Sequence, residues 1–128
     1  MINFSINGFG RIGRSATRVW LAKHTKELNL VAINTSGSLP VSGWAHLLKY
    51  DTAYGPLPYN ISFDEKKTPD KATDSDPLLG YLLIDDFKIP VLAQKDPRKI
   101  PWRDVNADIV VESTGVFRTQ EQARLHLE

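Results

Sequence analysis

The stretch INFSINGFGRIGRS, residues 2–15, carries the strongest structural signal in the chain. Its first half alternates apolar and polar residues, which is typical of a strand. Its second half holds the pattern G-x-G-x-x-G at Gly8, Gly10 and Gly13, and a helix-compatible stretch over 11–23 follows. A strand, a glycine turn and a helix in this order are the context in which that pattern indicates dinucleotide binding.

The three glycines serve three different physical needs. Gly8 allows the tight turn, Gly10 lets a pyrophosphate approach the backbone, and Gly13 lets the helix pack closely on the strand. The N–H groups and the dipole at the start of the helix then favour a phosphate. The alternative is a glycine-rich turn without a ligand, and the surrounding strand and helix favour the dinucleotide.

Further along, the chain repeats the strand and helix pattern of a parallel sheet. Ile12, Ala16 and Val19 share one face of the first helix, which we expect to pack on the sheet. The stretches 28–34 and 107–112 have continuous apolar centres, as strands do when both faces of a parallel sheet are covered. The sequence therefore predicts an α/β, Rossmann-type, doubly wound and mainly parallel sheet.

Shorter elements complete the prediction. They are a helix over 41–50, strands over 60–63, 81–84 and 87–92, and a last helix that opens with a capping box at Thr119 and Gln122. Pro90 indicates an edge strand or a bulge. A doubly wound domain made of two halves needs more strands than these, so we expect a single domain over 1–128 whose sheet is incomplete at its C-terminal end.

Residues 64–77 form the most polar stretch, DEKKTPDKATDSDP. This composition buries too little apolar surface to offset the entropy of ordering, so we predict a solvated, mobile loop. A calcium site built on Asp70, Asp74 and Asp76 is the competing interpretation. The stretch lacks the central glycine and the late glutamate of such a loop, so we expect no metal site.

Composition excludes several classes of protein. The chain of 128 residues carries 16 basic and 15 acidic residues, and shows no basic stripe of the kind that binds nucleic acid. No apolar run approaches a membrane span, and no secretory signal is visible, so we expect a cytoplasmic location without membrane association. The absence of cysteine excludes disulfides, thiolate metal sites and a cysteine nucleophile within this chain.

Three blocks of sequence resemble the glyceraldehyde-3-phosphate dehydrogenase family. They are INGFGRIGR at 6–14, AHLLKYD at 45–51 followed by Gly55, and VESTGVF at 111–117; Asp96-Pro97 with Trp102 fits the same pattern. The blocks come in the family's order and extend over nearly the whole chain. The resemblance is to the N-terminal, NAD-binding half of the family.

The resemblance also implies which residues contact the cofactor. They are Gly8, Phe9, Gly10, Arg11, Ile12, Gly13, Asn34, Thr35, Lys95, Ser113, Thr114, Gly115 and Phe117. Backbone N–H groups of Arg11 and Ile12 would meet the pyrophosphate. Thr114 and Gly115 would lie on the ribose and nicotinamide side, with Phe117 as a wall of the pocket. Lys95 stands where the family usually has an arginine whose backbone lies beside the adenine.

Thr35 departs from the family pattern. Most members carry an aspartate here, which binds both adenosine ribose hydroxyls and repels a 2′-phosphate. A neutral threonine, followed by Ser36, Gly37 and Ser38, removes that repulsion. Two interpretations stay open: NADP is accepted as well as NAD, or another group replaces the aspartate and NAD is preferred.

The resemblance implies the oxidation of glyceraldehyde 3-phosphate in glycolysis, in a tetrameric parent enzyme. The family's chemistry needs a cysteine nucleophile and a histidine base. The chain has no cysteine, and His24, His46 and His126 lie in predicted helices where packing or surface roles are expected. We therefore predict no catalytic residue here and an inactive cofactor-binding domain without its catalytic domain. A dehydrogenase of erythrose 4-phosphate and a non-catalytic dinucleotide-binding module remain the alternatives.

Overall fold

The computed structural model describes residues 2–50, 59–73 and 75–113, which form one mixed sheet with two helices. The strands are β1 (Ile2–Asn7), β2 (Leu28–Thr35), β3 (Ile61–Glu65), β4 (Leu78–Ile84), β5 (Phe87–Ala93) and β6 (Ile109–Glu112), and the helices are α1 (Arg11–Val19) and α2 (Val41–Lys49). The predicted strand over 28–34 and helix over 41–50 are confirmed. The predicted last helix lies outside the described residues, as do Asp51 and Gly55.

The sheet has the strand order β3-β4-β5-β2-β1-β6. Strands β5, β2, β1 and β6 are parallel to one another, whereas β3 and β4 are joined to β5 as an antiparallel meander. This arrangement confirms the predicted mainly parallel α/β sheet. It also brings the carboxyl ends of four parallel strands to one edge, where open α/β sheets bind their ligands.

Two apolar clusters cover the sheet. The larger includes Ile33 together with Leu48 of α2, and the smaller includes Ala32 with Trp102. Successive residues of a strand point to opposite faces, so Ala32 and Ile33 show that both faces of β2 are buried. The continuous apolar run in β2 correctly predicted a strand covered on both sides.

Of the apolar face predicted for helix α1, Ala16 packs against the core, but Ile12 and Val19 do not. The helix ends at Val19 and continues into a π-helical turn, Trp20–His24. Its buried residues are Gly13 and Thr17, whereas Ile12 is 69% and Val19 53% exposed. The reason is the glycine turn, which presses Gly13 against the backbone of the preceding strand end. The small face of the helix therefore meets the sheet and the larger apolar side chains turn away.

Strand β6 is parallel, as predicted, and it is partly covered on both faces, since Val110 packs against the smaller and Val111 against the larger apolar cluster. It pairs with β1 and ends the sheet, and Ile109 is 52% exposed.

Of the two alternatives for Pro90, the edge strand is wrong, because β5 is an interior strand, whereas an irregularity in the β4–β5 register does lie next to it, between Leu78 and Gly80. The proline precedes the residues Val91–Ala93 that pair with β2, so its missing N–H falls where β5 has only β4 beside it.

The polar stretch 64–77 begins within the sheet, since Asp64 and Glu65 complete β3. Its described residues also include a short 3₁₀ turn, Pro69–Lys71. The ammonium of Lys67 lies 2.9 Å from a carboxylate oxygen of Asp76 and 2.7 Å from that residue's carbonyl oxygen. These bonds give the loop a defined course next to the sheet. Asp74 lies outside the described residues.

Within the described residues no helix has the length and apolar character needed to cross a lipid bilayer.

Candidate functional site

A cleft of about 460 Å³ opens at the carboxyl ends of the parallel strands. Four strand ends and one helix line it. The strand ends contribute residues 7–10 at the end of β1, 34–36 at the end of β2, 94–95 after β5 and Ser113 after β6, and α2 contributes Trp44. The cleft is therefore built where the topology brings strand ends together. Each contribution comes from a different segment of the chain, and the sheet holds them in place.

The glycine turn forms one side of this cleft. Gly8 has φ +99°, a conformation that favours glycine, and its N–H donates to the carbonyl of Asn34 at 2.9 Å. A Cβ on Gly13 would stand only 2.1 Å from the carbonyl oxygen of Gly8, so only glycine allows the helix to come this close. The turn and the start of α1 are thereby fixed together.

Gly10 differs from both of its neighbours in the motif. It lines the cleft, and a Cβ placed on it would meet no described heavy atom within 4 Å. Packing within the described residues therefore does not require glycine here. Gly10 is also the N-cap of α1, and no described side chain caps that helix. The first N–H groups of an α-helix lack intrahelical acceptors, so this end of α1 suits an anion at the mouth of the cleft.

A buried amide network ties the strand ends beneath the cleft. The side-chain N–H₂ of Asn34 donates to Asn7 Oδ1 and to the carbonyl of Gln94, both at 2.8 Å. Asn34 Oδ1 accepts from the backbone N–H of Gln94 at 2.9 Å. Asn7 in turn donates to Glu112 Oε2 at 2.9 Å. Because buried polar groups are costly unless paired, this network holds β1, β2, β5 and β6 in one arrangement.

Ser113 joins β6 to the glycine turn. Its backbone N–H donates to the carbonyl of Asn7 at 2.9 Å, and its hydroxyl donates to the carbonyl of Gly8 at 2.7 Å. The serine thereby supports the turn from the side of the cleft opposite Asn34. Its hydroxyl is engaged with the backbone, so its contribution to the site is to hold the turn in place.

Thr35 lines the cleft but its side chain is turned into the protein. It is only 2% exposed, and its hydroxyl donates to the carbonyl of Leu92 at 2.9 Å while accepting from the N–H of Gly37 at 3.2 Å. The two exposed serines that follow, Ser36 and Ser38, lie 3.1 Å apart through their hydroxyl oxygens. The hydroxyl exposed at this end of the cleft is therefore that of Ser36, with Ser38 next to it.

The loop after β5 carries Lys95, which is exposed and lines the cleft. The next residue, Asp96, accepts from the backbone N–H of Arg98 at 3.0 Å and pairs with its guanidinium at 3.2 Å. These bonds from Arg98 lower the pKa of Asp96 below that of an ordinary carboxyl group. They cap the 3₁₀ turn Pro97–Lys99 and so hold the loop that presents Lys95.

The structure brings most of the predicted cofactor residues to the cleft. Those lining it are Gly8, Phe9, Gly10, Asn34, Thr35, Lys95 and Ser113. Arg11 and Ile12 are exposed at the start of α1, and Gly13 lies behind the turn. Phe9 contributes to the core as well, since its ring packs edge-on against Trp44 with centroids 5.9 Å apart. Thr114, Gly115 and Phe117 lie outside the described residues.

Sequence reasoning missed three lining residues, Asn7, Trp44 and Gln94. Asn7 and Gln94 had a usable signal, because each ends or follows a predicted strand on the ligand-binding edge. Trp44 had no such signal, because a tryptophan on the apolar face of a helix is expected to pack in the core. His46 does not line the cleft; it is exposed, with its ring 5.0 Å from that of Tyr50. His126 lies outside the described residues.

Comparison with known proteins agrees with this geometry. The family model described as the NAD-binding domain of glyceraldehyde 3-phosphate dehydrogenase matches residues 2–120. The chain belongs to this family. The match extends over the glycine turn and over every strand that borders the cleft, so the predicted family is confirmed.

Relatives within the family include several named glyceraldehyde-3-phosphate dehydrogenases. The protein of Thermotoga maritima is 38% identical over the whole chain, and that of Mycoplasma pneumoniae is 42% identical over 99% of it. The chloroplastic enzyme A of Chlamydomonas reinhardtii is 35% identical over 99%. The chain spans 34%, 32% and 30% of these relatives, about a third of their length.

Proposed function

We propose that this chain binds NAD in the cleft described above and serves as the cofactor-binding domain of a phosphorylating glyceraldehyde-3-phosphate dehydrogenase. The observation that carries the proposal is the open space beside Gly10, at the N-terminus of α1. Packing does not require a glycine at this position, and the helix N–H groups next to it face the cleft. A ligand that approaches the backbone closely explains why the residue is glycine. The pyrophosphate of a dinucleotide is that ligand.

The proposed parent activity oxidises glyceraldehyde 3-phosphate with NAD in glycolysis, and we propose a cytoplasmic tetramer as its setting. The names of the relatives support the activity. The chain itself holds no cysteine, so the nucleophile of that reaction has to come from elsewhere in the parent enzyme. The residues of this chain bind and orient the cofactor, and we expect the chain alone to be inactive.

A non-catalytic dinucleotide-binding module is the second candidate, and the absence of cysteine favours it. Both candidates share the same cleft and the same ligand. They differ in whether a catalytic domain accompanies the chain. A downstream segment with a cysteine nucleophile in the parent reading frame would decide for the dehydrogenase.

We also propose that NADP is accepted as well as NAD. The support is Thr35, a neutral residue at the strand end where a carboxylate would repel a 2′-phosphate. The exposed hydroxyls of Ser36 and Ser38 next to it are groups that donate to phosphate oxygens. A cofactor carrying the extra phosphate therefore meets no acid from β2 at this position.

The proposed NAD site is tested by Gly10→Ala. The backbone of Gly10, at φ −74° and ψ −159°, suits any residue, and its Cβ meets no described atom, so we expect the variant to fold normally. The new methyl group occupies the space where the pyrophosphate approaches. We expect NAD to bind at least about tenfold more weakly, a loss of about 1.4 kcal/mol, measured by isothermal titration calorimetry.

Gly43→Ala is the matched control, because Gly43 lies in α2 and does not line the cleft. It makes the same chemical change, and we expect NAD affinity to be kept. If Gly10→Ala folds normally and binds NAD as tightly as the unmodified chain, the pyrophosphate does not lie at this turn and the proposal is wrong.

A further inference from the structure

A second groove, also of about 460 Å³, continues from the cleft beyond the end of β2. Ser36, Gln94 and Lys95 line both, so the two spaces share a wall. The opposite wall of the second groove comes from residues 69–73 of the polar stretch. A feature that looked like a solvated loop in the sequence therefore borders the proposed cofactor site.

The contact between this wall and the strand end is close. A Cβ on Gly37 would lie 3.7 Å from Cβ of Pro69 and 3.5 Å from Cβ of Ala93, and Gly37 has φ +80°. The glycine thus lets the chain turn while Pro69 packs beside it. The loop is also tied to the sheet, because the N–H groups of Lys66 and Lys67 donate to the carbonyl of Leu79 at 2.8 and 3.1 Å.

Two charged residues line the second groove, Asp70 on the loop wall and Lys95 on the shared wall. Asp70 is exposed, and its carboxylate accepts a hydrogen bond from the hydroxyl of Thr68. That bond, with a backbone hydrogen bond and the nearby charge of Lys71, lowers the pKa of Asp70. The groove therefore presents a carboxylate on one wall and an amine side chain on the other.

The place of the groove along the cofactor follows from the cleft. The pyrophosphate is proposed at the glycine turn, and the adenosine ribose of a dinucleotide lies near the end of the second strand. In this chain that end is Thr35 to Gly37, where the second groove begins. A phosphate on the ribose 2′ oxygen would point from this end toward the groove that Asp70 lines.

Building on the proposed dinucleotide binding, we propose that Asp70 determines the balance between NAD and NADP. Its carboxylate, supplied by the loop and not by β2, opposes a 2′-phosphate, while Lys95 on the other wall attracts it. Because position 35 carries no acid, NADP is able to bind. The carboxylate of Asp70 keeps the affinity for NADP below the value that Lys95, Ser36 and Ser38 alone would give. NAD, which lacks the 2′-phosphate, is little affected.

Asp70→Asn tests this assignment. The amide keeps an acceptor for Thr68 and removes the charge, so the loop is expected to keep its course. We expect calorimetry at low salt to show NADP binding about fivefold tighter, the size expected for one exposed charge, with NAD affinity unchanged within about twofold. The gain is expected to shrink at high salt, because the repulsion it removes is screened.

Asp86→Asn is the control, since Asp86 is an exposed aspartate of the β4–β5 turn that lines neither the cleft nor the groove. We expect it to leave both affinities unchanged. An NADP to NAD ratio that Asp70→Asn leaves unchanged, or that Asp86→Asn changes equally, overturns the role of Asp70 alone. An unmodified chain that binds neither dinucleotide overturns the proposed function as well.

Discussion

Thr35 illustrates how one side chain changes the chemistry of a strand end. Its hydroxyl spans the carbonyl of Leu92 and the N–H of Gly37, so it closes the end of β2 without presenting charge to the cleft. An aspartate at this position would have to turn toward the cleft, because a carboxylate cannot donate to the Leu92 carbonyl. The residue that organises the strand end is thus also the one that leaves the proposed ribose site without a carboxylate from β2.

Thr35→Asp is predicted to weaken NADP relative to NAD. The new carboxylate would face the 2′-phosphate, and we expect the ratio of the two dissociation constants to change by at least about tenfold against NADP. Thr35→Asn is the matched control, because asparagine has nearly the shape and volume of aspartate without the charge. Equal cofactor ratios in the two variants, measured by calorimetry, would mean that charge at position 35 plays no part.

At single residues, the sequence predicted the glycine roles well and the orientation of Thr35 not at all. Gly8 and Gly13 were expected in a tight turn and in a close helix contact, and their geometry agrees, because only glycine satisfies either need. The hydroxyl of Thr35 had two open choices, the cleft or the interior. Its choice depends on the carbonyl of Leu92, which is remote in sequence and becomes a neighbour only after β2 and β5 pair.

Helix α1 is held by its small face, and the π-helical turn that follows is held by two large buried side chains, Trp20 and Leu21. Trp20 is 2% exposed, donates from its indole N–H to the carbonyl of Leu28 at 2.8 Å, and packs against Phe4 and Phe87. Val19, the residue before it, is more than half exposed. The contribution of this element to stability therefore lies mainly in the π-helical turn, where Trp20 is the larger of the two buried side chains.

We predict that Trp20→Ala lowers the free energy of unfolding by about 3–5 kcal/mol, because it removes a buried ring and leaves a cavity. Val19→Gln is expected to change it by less than about 0.5 kcal/mol, as surface substitutions usually do. Urea unfolding followed by circular dichroism measures both. Comparable losses of unfolding free energy in the two variants would mean that Val19 packs in the core, as the apolar face predicted for α1 requires.

The prediction for α1 failed at Ile12 and Val19, because hydrophobic periodicity does not identify a glycine and a threonine as the residues that contact the sheet. The glycine turn fixes the rotation of the helix, and this constraint overrides the apolar pattern. The strands were easier to predict where the run of apolar residues was long, as in β2. In β6 the same kind of run predicted coverage on both faces, which the structure provides in part, because Val110 and Val111 pack against opposite clusters while Ile109 is exposed.

For the whole molecule, the parallel order of β5, β2, β1 and β6 creates a site that no single segment contains. Four parts of the chain meet at one edge of the sheet. They are the glycine turn, the end of β2 with Asn34 and Ser36, the loop with Lys95, and Ser113. The sequence predicted this edge because strand and helix alternate along the chain. It did not predict that residues 69–73 form a wall of the adjoining groove, since polar loops carry no periodic signal that places them.

A dinucleotide site in this cleft is tested most directly by heteronuclear NMR of the chain titrated with NAD, with each amide resonance followed separately. We predict shifts for residues 8–13 at the glycine turn and for Ser36 and Gly37 at the end of β2, while β3 stays unchanged. Shifts that avoid the glycine turn, or resonances that do not move at all, would contradict a dinucleotide site in this cleft.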